Sequence, residues 1–274
     1  MRRTLTAALV AALVSLWAAT VSAARPEVRD SVLVVPAGTT GIGPEAFADR
    51  DDFNRVVFES PCVLREIGPY AFMGCSRLRD VELPGSLRSL GEGAFRECGA
   101  LVSVTFGRGL TRLPRYAFAW CASLRDVTLP STLTDIQSHA FAYCGSLRSI
   151  HIPAKVRHIG SNVFSFCGSL EEVAVPAGVT ELESYAFSEC VSLKRAVLPA
   201  RRDMLGELIF SGCHSLESVT VPSTVPPVFD CNSTLFEANE PQMYRRCRLL
   251  VPAGSVGAYR EAPSWRLFED IAPL

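Results

Sequence analysis

The sequence predicts a solenoid of stacked coils, each with a short β-strand, and two regularities of spacing carry this prediction. A phenylalanine recurs every 23 residues, at Phe72, Phe95, Phe118, Phe141, Phe164, Phe187 and Phe210. Three positions after each phenylalanine comes a cysteine, at Cys75, Cys98, Cys121, Cys144, Cys167, Cys190 and Cys213. A fixed period of this length is typical of stacked repeat proteins, in which each unit buries its apolar face against its neighbours. Both columns are therefore expected to form the structural core.

The unit from Leu147 to Cys167 shows how one coil is built. LRSIHIP points alternate apolar side chains inward on a short strand, and Pro153 ends the strand because it has no N–H to donate. An LxxI pattern follows, and Phe164 and Cys167 then return the chain to the core. The register is strict from 61 to 224, which predicts about eight coils with a rise of about 4.8 Å each.

Both ends of the array depart from the repeat. Residues 24–60 contain irregular units, which is what a terminal cap looks like. Past residue 224 the period fails, and 225–274 is expected to be a C-terminal cap. This cap should contain a last strand at 248–252 and short helical turns whose underside carries Tyr259, Trp265 and Phe268.

Residues 1–23 resemble a secretory signal peptide. Arg2 and Arg3 precede an almost wholly apolar run, and Val21-Ser22-Ala23 offers small residues at a cleavage site. A membrane anchor is the alternative, but the apolar run is short, and no integral membrane segment is expected after cleavage. Removing the segment takes away two of 27 basic residues and none of the 28 acidic ones, so the net charge becomes -3. Neither composition nor charge indicates a nucleic-acid partner.

The ten cysteines do not read as a disulfide framework, although export would favour one. In-register neighbours in the column have nearly parallel Cβ vectors, which suit disulfide torsions poorly, so we expect buried free thiols. Cys231 and Cys247 flank the atypical C-terminal segment and form the one plausible disulfide, or remain free. Since no CxxC or CxxH pair is present, the sequence predicts no metal site and no cofactor.

The repeat resembles that of a known family. The pattern CxxLxxVxLPxxLxxIxxxAFxxC, seen from Cys121 to Cys144, and the terminal LLVPAGSVGAYREAPSWRLF are similar to BspA-like, or treponemal-type, bacterial leucine-rich repeats. The resemblance implies an α/β solenoid with a short parallel β-sheet on the concave face, a mostly irregular or 3₁₀ convex side, about eight coils and a C-terminal cap. It also implies a secreted or surface protein, since some members are adhesins. The family motif is structural and assigns no functional residue.

The sequence offers little to support catalysis. The histidines occupy different phases of the repeat, no GxSxG or HExxH motif occurs, and the cysteines of the column are expected to be buried rather than activated. An exported enzyme is therefore a remote alternative.

A column of aromatic residues is the most informative variable feature. Trp120, Tyr143 and Phe166 directly precede the cysteines of three successive coils, so their rings should lie about 5 Å apart. Exposed, they would form a protein interface, because Trp and Tyr dominate binding hot spots. Alternatively they extend the core over the edge of the solenoid. Tyr116 and His139 in the same coils enlarge the site or cover that edge.

The strands add charged positions to the predicted binding residues. Arg125, Arg148 and His151 face solvent on a mixed-charge surface. The first functional hypothesis is an exported, non-catalytic recognition protein that binds proteins or glycans, for example an adhesin for host matrix or cell-surface proteins. The alternative is a periplasmic scaffold that dimerises through the aromatic patch.

Overall fold

A computed structural model describes residues 25–199, 205–229, 234–237 and 240–274 of the chain. It is a β-solenoid of about ten turns with parallel strands and few helices, which confirms the predicted fold class. The number of turns differs slightly from the expected eight or so, because the irregular ends also add strands to the stack. Val32–Val35 pairs with Arg55–Phe58 at one end, and Ile271–Pro273 pairs with Arg248–Val251 at the other.

The first sheet follows the LxxVxL segments, and we call it sheet 1. A short antiparallel strand at Glu27–Arg29 covers its N-terminal edge, and the later neighbours pair in parallel. The strands form two groups, one ending at Asp126–Thr128 and one beginning at Glu172–Ala174, and a bridge joins Ser149 of the intervening coil to Glu172. The parallel strands are Val32–Val35, Arg55–Phe58, Asp80–Leu83, Ser103–Phe106, Asp126–Thr128, Glu172–Ala174, Arg195–Val197, Ser218–Thr220, Arg248–Val251 and Ile271–Pro273.

A second set of parallel strands, which we call sheet 2, follows the LxxI segments with two residues from each coil and forms two ladders, one of three strands and one of four. Its strands are Gly41–Ile42, Glu66–Ile67, Ser89–Leu90, Arg112–Leu113, Asp135–Ile136, His158–Ile159 and Glu181–Leu182. The second residue of each strand is buried and the first faces outward. Residues exactly one period apart therefore lie side by side on the outside of sheet 2.

The third side of each coil is the turn that contains the phenylalanine and the cysteine, and we call it the turn face. Its backbone N–H groups also donate to carbonyls of the next coil, as from Phe118 to Ala140 at 2.8 Å and from Trp120 to Ala142 at 2.8 Å. Two columns of residues on this face have φ between +53° and +73°. Alternate N–H groups along this face, those of Tyr116, Phe118 and Trp120, point along the stack, where carbonyls of the neighbouring coil satisfy them.

The core contains a continuous stack of phenylalanine rings. From Phe72 to Phe210, neighbouring ring centroids lie 5.0 to 5.9 Å apart, and all seven rings are fully buried. The cysteines of the repeat are buried beside them, and each thiol donates to a phenylalanine carbonyl, as from Cys144 Sγ to Phe118 O at 3.3 Å. Burial raises the pKa of the Cys144 thiol well above its ordinary value, so it stays protonated and unreactive.

The C-terminal segment covers the last coil with aromatic side chains. It contains helices at Pro241–Arg246 and Val256–Glu261 and 3₁₀ turns at Ala253–Ser255 and Trp265–Leu267. Tyr259 and Trp265 are buried, and their polar atoms donate to Ser223 O at 2.9 Å and Pro227 O at 2.8 Å. Buried aromatic residues with a polar atom need such partners.

Two predictions fall on residues outside the described ranges. The predicted signal peptide at 1–23 is one of them. The other is the disulfide, since Cys231 is not among the described residues, whereas Cys247 is buried. Among the helices of the described residues, none is long and apolar enough to cross a membrane.

Candidate interaction surface

Trp120, Tyr143 and Phe166 form a stack on the turn face, which we call the aromatic ridge. The ring centroids of Trp120 and Tyr143 lie 5.0 Å apart, and those of Tyr143 and Phe166 lie 4.4 Å apart. The planes of neighbouring rings differ by 7° and 4°. The facing sides of neighbouring rings therefore cover one another. Mainly the ring edges remain for contact with a ligand.

Exposure of the ridge increases along the solenoid. Trp120 is half-buried, whereas Tyr143 is 37% exposed and Phe166 is 43% exposed. Ala119 and Ala142, each directly before a ridge residue, are fully buried. The rings thus help to close the edge of the solenoid and also present apolar area to solvent, so the two alternatives from the sequence both describe part of the arrangement.

The ridge residues occupy backbone positions that favour glycine. Trp120, Tyr143 and Phe166 have φ values of +60°, +62° and +60°, and the equivalent residues of other coils include Gly74 and Gly212. A residue with a Cβ costs about 1–2 kcal/mol in this conformation. Glu97 and Glu189 of the flanking coils have the same conformation, so the left-handed backbone belongs to the repeat, and the aromatic side chains are what distinguish the ridge.

This backbone conformation makes a testable prediction about stability. Phe166→Gly should be more stable than Phe166→Ala by about 1 kcal/mol, because both lose the ring but only glycine relieves the left-handed strain. Ser165 has no positive φ, so at that position alanine should be the more stable of the two. Urea denaturation of the four variants measures both differences. A Phe166→Ala protein more stable than Phe166→Gly would contradict the assignment of strain.

Tyr116 and His139 form a second, shorter stack beside the ridge. Their ring centroids lie 4.8 Å apart, and the Tyr116 ring lies 6.2 Å from that of Trp120. The Arg96 guanidinium lies 4.7 Å from the centroid of the Trp120 ring, a cation–π distance, so it covers the N-terminal end of the ridge. Together with the ridge, Tyr116, His139 and Arg96 form one contiguous cluster of six side chains.

His139 is held neutral in this cluster. Burial, together with the positive charge of Arg115, lowers the pKa of the imidazole. Its Nδ1 is buried and makes no hydrogen bond within the described part of the chain. At neutral pH the ring therefore serves as an aromatic surface rather than as a charge.

The three charged positions predicted from the strands lie apart from the aromatic cluster. Arg125 and Arg148 are exposed directly before Asp126–Thr128 and the bridge residue Ser149, and the exposed His151 lies two residues beyond Ser149. Within the described residues, no hydrogen bond, ion pair or ring contact joins them to the ridge. They form the next face of the same coils.

A network of charged residues on sheet 2 was not predicted. His158 Nδ1 lies 2.7 Å from Asp135 Oδ1, and its Nε2 lies 2.8 Å from Glu183 Oε1. Arg112 pairs with Asp135 at 2.7 Å. Because these residues come from successive coils, the network ties four coils together. Its signal was present in the sequence, since Arg112, Asp135 and His158 follow one another at intervals of 23 residues.

Electrostatics in this network favour a charged histidine. Burial lowers the pKa of His158, but hydrogen bonds to Asp135 and Glu183 and the charges of these carboxylates outweigh it, so the pKa is raised. The pKa of Glu183 is lowered, because hydrogen bonds from Ser161 and His158 outweigh its own burial. His158, Glu181 and Glu183 each place a potential metal-ligand atom within 4.8 Å of the others. Since hydrogen bonds occupy both ring nitrogens, we interpret the group as an ion-pair network.

The chain matches the family model of the BspA type leucine-rich repeat region in six copies, over residues 39–167 and 134–236. It belongs to the BspA-type leucine-rich repeat family, which confirms the resemblance found in the sequence. Membership of this family suggests that the protein takes part in protein interactions. Leucine-rich repeat proteins of this kind are generally non-catalytic.

Solved structures of bacterial proteins share this fold. A leucine-rich cell surface protein from Faecalibacterium prausnitzii is 24% identical, with a TM-score of 0.50 over 89% of this chain and 79% of that chain. A leucine-rich repeat protein of T. pallidum is 26% identical, with a TM-score of 0.47 over 75% and 78% of the two chains. No curated protein sequence matches the chain. At this level the similarity describes the fold and not a ligand.

Proposed function

We propose that this protein is an exported, non-catalytic recognition protein that binds other proteins through the aromatic ridge. The observation that carries the proposal is the exposure of Tyr143 and Phe166, whose rings stack in successive coils. Exposed apolar patches of this kind mark interaction sites. The buried, protonated thiols of the repeat offer no nucleophile, which supports a non-catalytic role.

The stacking favours a protein ligand over a glycan. Sugars are usually bound by an aromatic ring that offers its face, whereas the faces between the ridge residues cover one another at 4.4 and 5.0 Å. Ring edges carry the positive end of the aromatic quadrupole and pack well against carbonyls and apolar side chains. A polypeptide supplies both groups.

A binding experiment can test the ridge. Peptides selected from a phage-displayed random library against the intact mature chain serve as probes, and surface plasmon resonance measures their affinities. We expect the double variant Tyr143→Gly/Phe166→Gly to lose about 2 kcal/mol of binding free energy or more, which is roughly thirtyfold in affinity. Glycine keeps the left-handed backbone of both positions.

Tyr185→Gly is the matched control, because Tyr185 is an aromatic residue with positive φ outside the ridge. It should bind the selected peptides as the wild type does. If the peptides bind the double variant undiminished, the ridge is not the recognition surface. Light scattering on the same proteins tests the alternative of a scaffold, since a dimer that dissociates in the double variant would indicate self-association.

Export is a second part of the proposal. It is supported by the charged start, the apolar run and the small residues within 1–23, and by the family to which the chain belongs. Protease accessibility on intact cells separates a surface protein, for example an adhesin, from a periplasmic one. Degradation before the envelope is broken would indicate the surface, and protection until then would indicate the periplasm.

A further inference from the structure

Charge is distributed unevenly along the solenoid. Residues 114–170, which carry the whole ridge, contain five basic residues and two acidic ones, although the mature chain is acidic overall. One of the two acids, Asp135, is already matched by Arg112 and His158. The next stretch, 171–193, contains five acidic residues and no basic one. The coils that present the ridge are therefore a locally basic zone.

Three arginines of this zone are exposed and without a carboxylate partner. Arg115, Arg125 and Arg148 form no ion pair within the described part of the chain. The contrast with the next coils is direct, because Lys194 stands at the same phase of the repeat and pairs with Glu171 at 3.3 Å. Arg125 and Arg148 occupy that phase in the coils of Trp120 and Tyr143, so their guanidinium groups remain available to a ligand.

Only short side chains separate these arginines from the ridge. Between Trp120 and Arg125 the outward residues are Ala122 and Ser123, because Cys121 and Leu124 are buried. The same positions of the next coil are a glycine and a serine, and a Cβ added at Gly145 would meet nothing within 4 Å. The surface from the ridge to the arginines is thus a low shelf on which an extended backbone can lie.

The apolar area continues past the ridge on this shelf. Val191 is 44% exposed, and its Cγ2 would lie 3.8 Å from a Cβ built at Gly168. Phe166, Gly168 and Val191 thus add apolar surface at the end where the ridge is most exposed. Within the basic zone, a ligand that reaches from Trp120 to Phe166 spans three coils.

We propose that the aromatic ridge and its flanking arginines bind an extended acidic segment of another protein. Apolar side chains of the segment would pack on the edges of Tyr143 and Phe166, and its carboxylates would pair with Arg125 and Arg148. Arginine is suited to this role, because its planar fork of donors matches a carboxylate. The positive ring edges add to the preference for acidic ligands. This inference rests on the proposed function and specifies the chemistry of the partner.

Three labelled peptides test the charge preference. The first is a fluorescein-labelled synthetic peptide in which glutamates alternate with leucine and phenylalanine, and the other two replace its glutamates by glutamine or by lysine. Fluorescence anisotropy with the intact mature chain should give an affinity for the acidic peptide about tenfold or more above that for the glutamine peptide. The lysine peptide should bind more weakly still, and added salt should reduce the difference.

Charge reversal on the protein tests the residues. Arg125→Glu/Arg148→Glu should reduce affinity for the acidic peptide about tenfold or more and leave affinity for the glutamine peptide nearly unchanged. Lys155→Glu is the matched control, because Lys155 is an exposed basic residue of the same zone outside the shelf. Thermal melting should show that the three proteins are equally folded.

The outcomes separate this inference from the proposed function. If the acidic and glutamine peptides bind equally and both lose affinity in Tyr143→Gly/Phe166→Gly, the ridge binds polypeptides but the acidic preference is wrong. If binding depends on charge and not on the ridge, the proposed function fails.

Three further results would overturn the inference. One is that none of the peptides binds. Another is that heparin binds more tightly than the acidic peptide and depends on the same arginines, which would assign the shelf to a polyanionic glycan. The third is a dimer that dissociates on charge reversal, which would make the occupant a second copy of this chain.

Discussion

Phe141→Ala is expected to lower the free energy of unfolding by about 3–5 kcal/mol. The Phe141 ring is fully buried, and its centroid lies 5.5 Å from that of Phe118 and 5.6 Å from that of Phe164. Its loss removes apolar contacts and leaves a cavity between two coils. Because a coil contacts only its neighbours, a cavity at mid-array should also uncouple the two halves of the solenoid.

Two tryptophans in the described part of the chain can report this uncoupling. Trp120 lies on the coil before Phe141, and Trp265 is buried in the C-terminal cap. Guanidinium denaturation followed by circular dichroism gives the overall loss of stability, and fluorescence of variants with one tryptophan follows each half separately. Arg125→Ala is the surface control and should cost little. An equal loss of stability in Phe141→Ala and Arg125→Ala would contradict the assignment of the phenylalanines as the core.

His158→Gln should destabilise the protein by about 1.5–3 kcal/mol at pH 5.5 and much less at pH 8.5. The pKa of His158 is raised in the folded protein, since its bonds to Asp135 and Glu183 outweigh its burial. The stabilisation by this group is therefore complete below the unfolded pKa of about 6.5 and is lost as the pH rises through the folded pKa. Urea denaturation at both pH values measures the difference.

His151→Gln provides the control for this pH dependence. His151 is exposed and makes no ion pair within the described residues, so its replacement should have little effect at either pH. Glu183→Gln should reproduce part of the loss, because it removes one of the two carboxylates that hold the imidazolium. A pH dependence of stability that is the same in wild type and His158→Gln would show that the network does not stabilise the protein.

The stacking was predictable because the period of the sequence is also the period of the structure. Residues 23 apart, such as Phe118 and Phe141, must lie above one another once the coils stack, so the core column follows directly from the spacing. The number of turns was not predictable in the same way. At both ends the chain pairs strands such as Val32–Val35 and Ile271–Pro273 by backbone hydrogen bonds, and these need no repeat in their side chains.

Only part of the candidate site could be read from the sequence. Trp120, Tyr143 and Phe166 occupy the same position of successive repeats, so the sequence predicts that they lie next to one another. Whether one ring covers the face of the next depends on their side-chain χ angles, which the repeat pattern does not specify. The network around His158 was missed for a different reason. Glu183 lies two residues beyond the phase of Glu181, so a search along one column does not find it.

The column of thiols places a demand on the synthesis of this protein. Each thiol, such as that of Cys144, needs its hydrogen to reach a phenylalanine carbonyl, so an oxidised sulfur cannot take its place in the stack. In the oxidising compartment to which we propose the chain is exported, the unfolded protein would expose all ten of its cysteines, the seven of the column among them, to oxidation to disulfides. The coils must therefore stack faster than the thiols are oxidised. Each coil that is added then buries the cysteine sulfur of the coil before it.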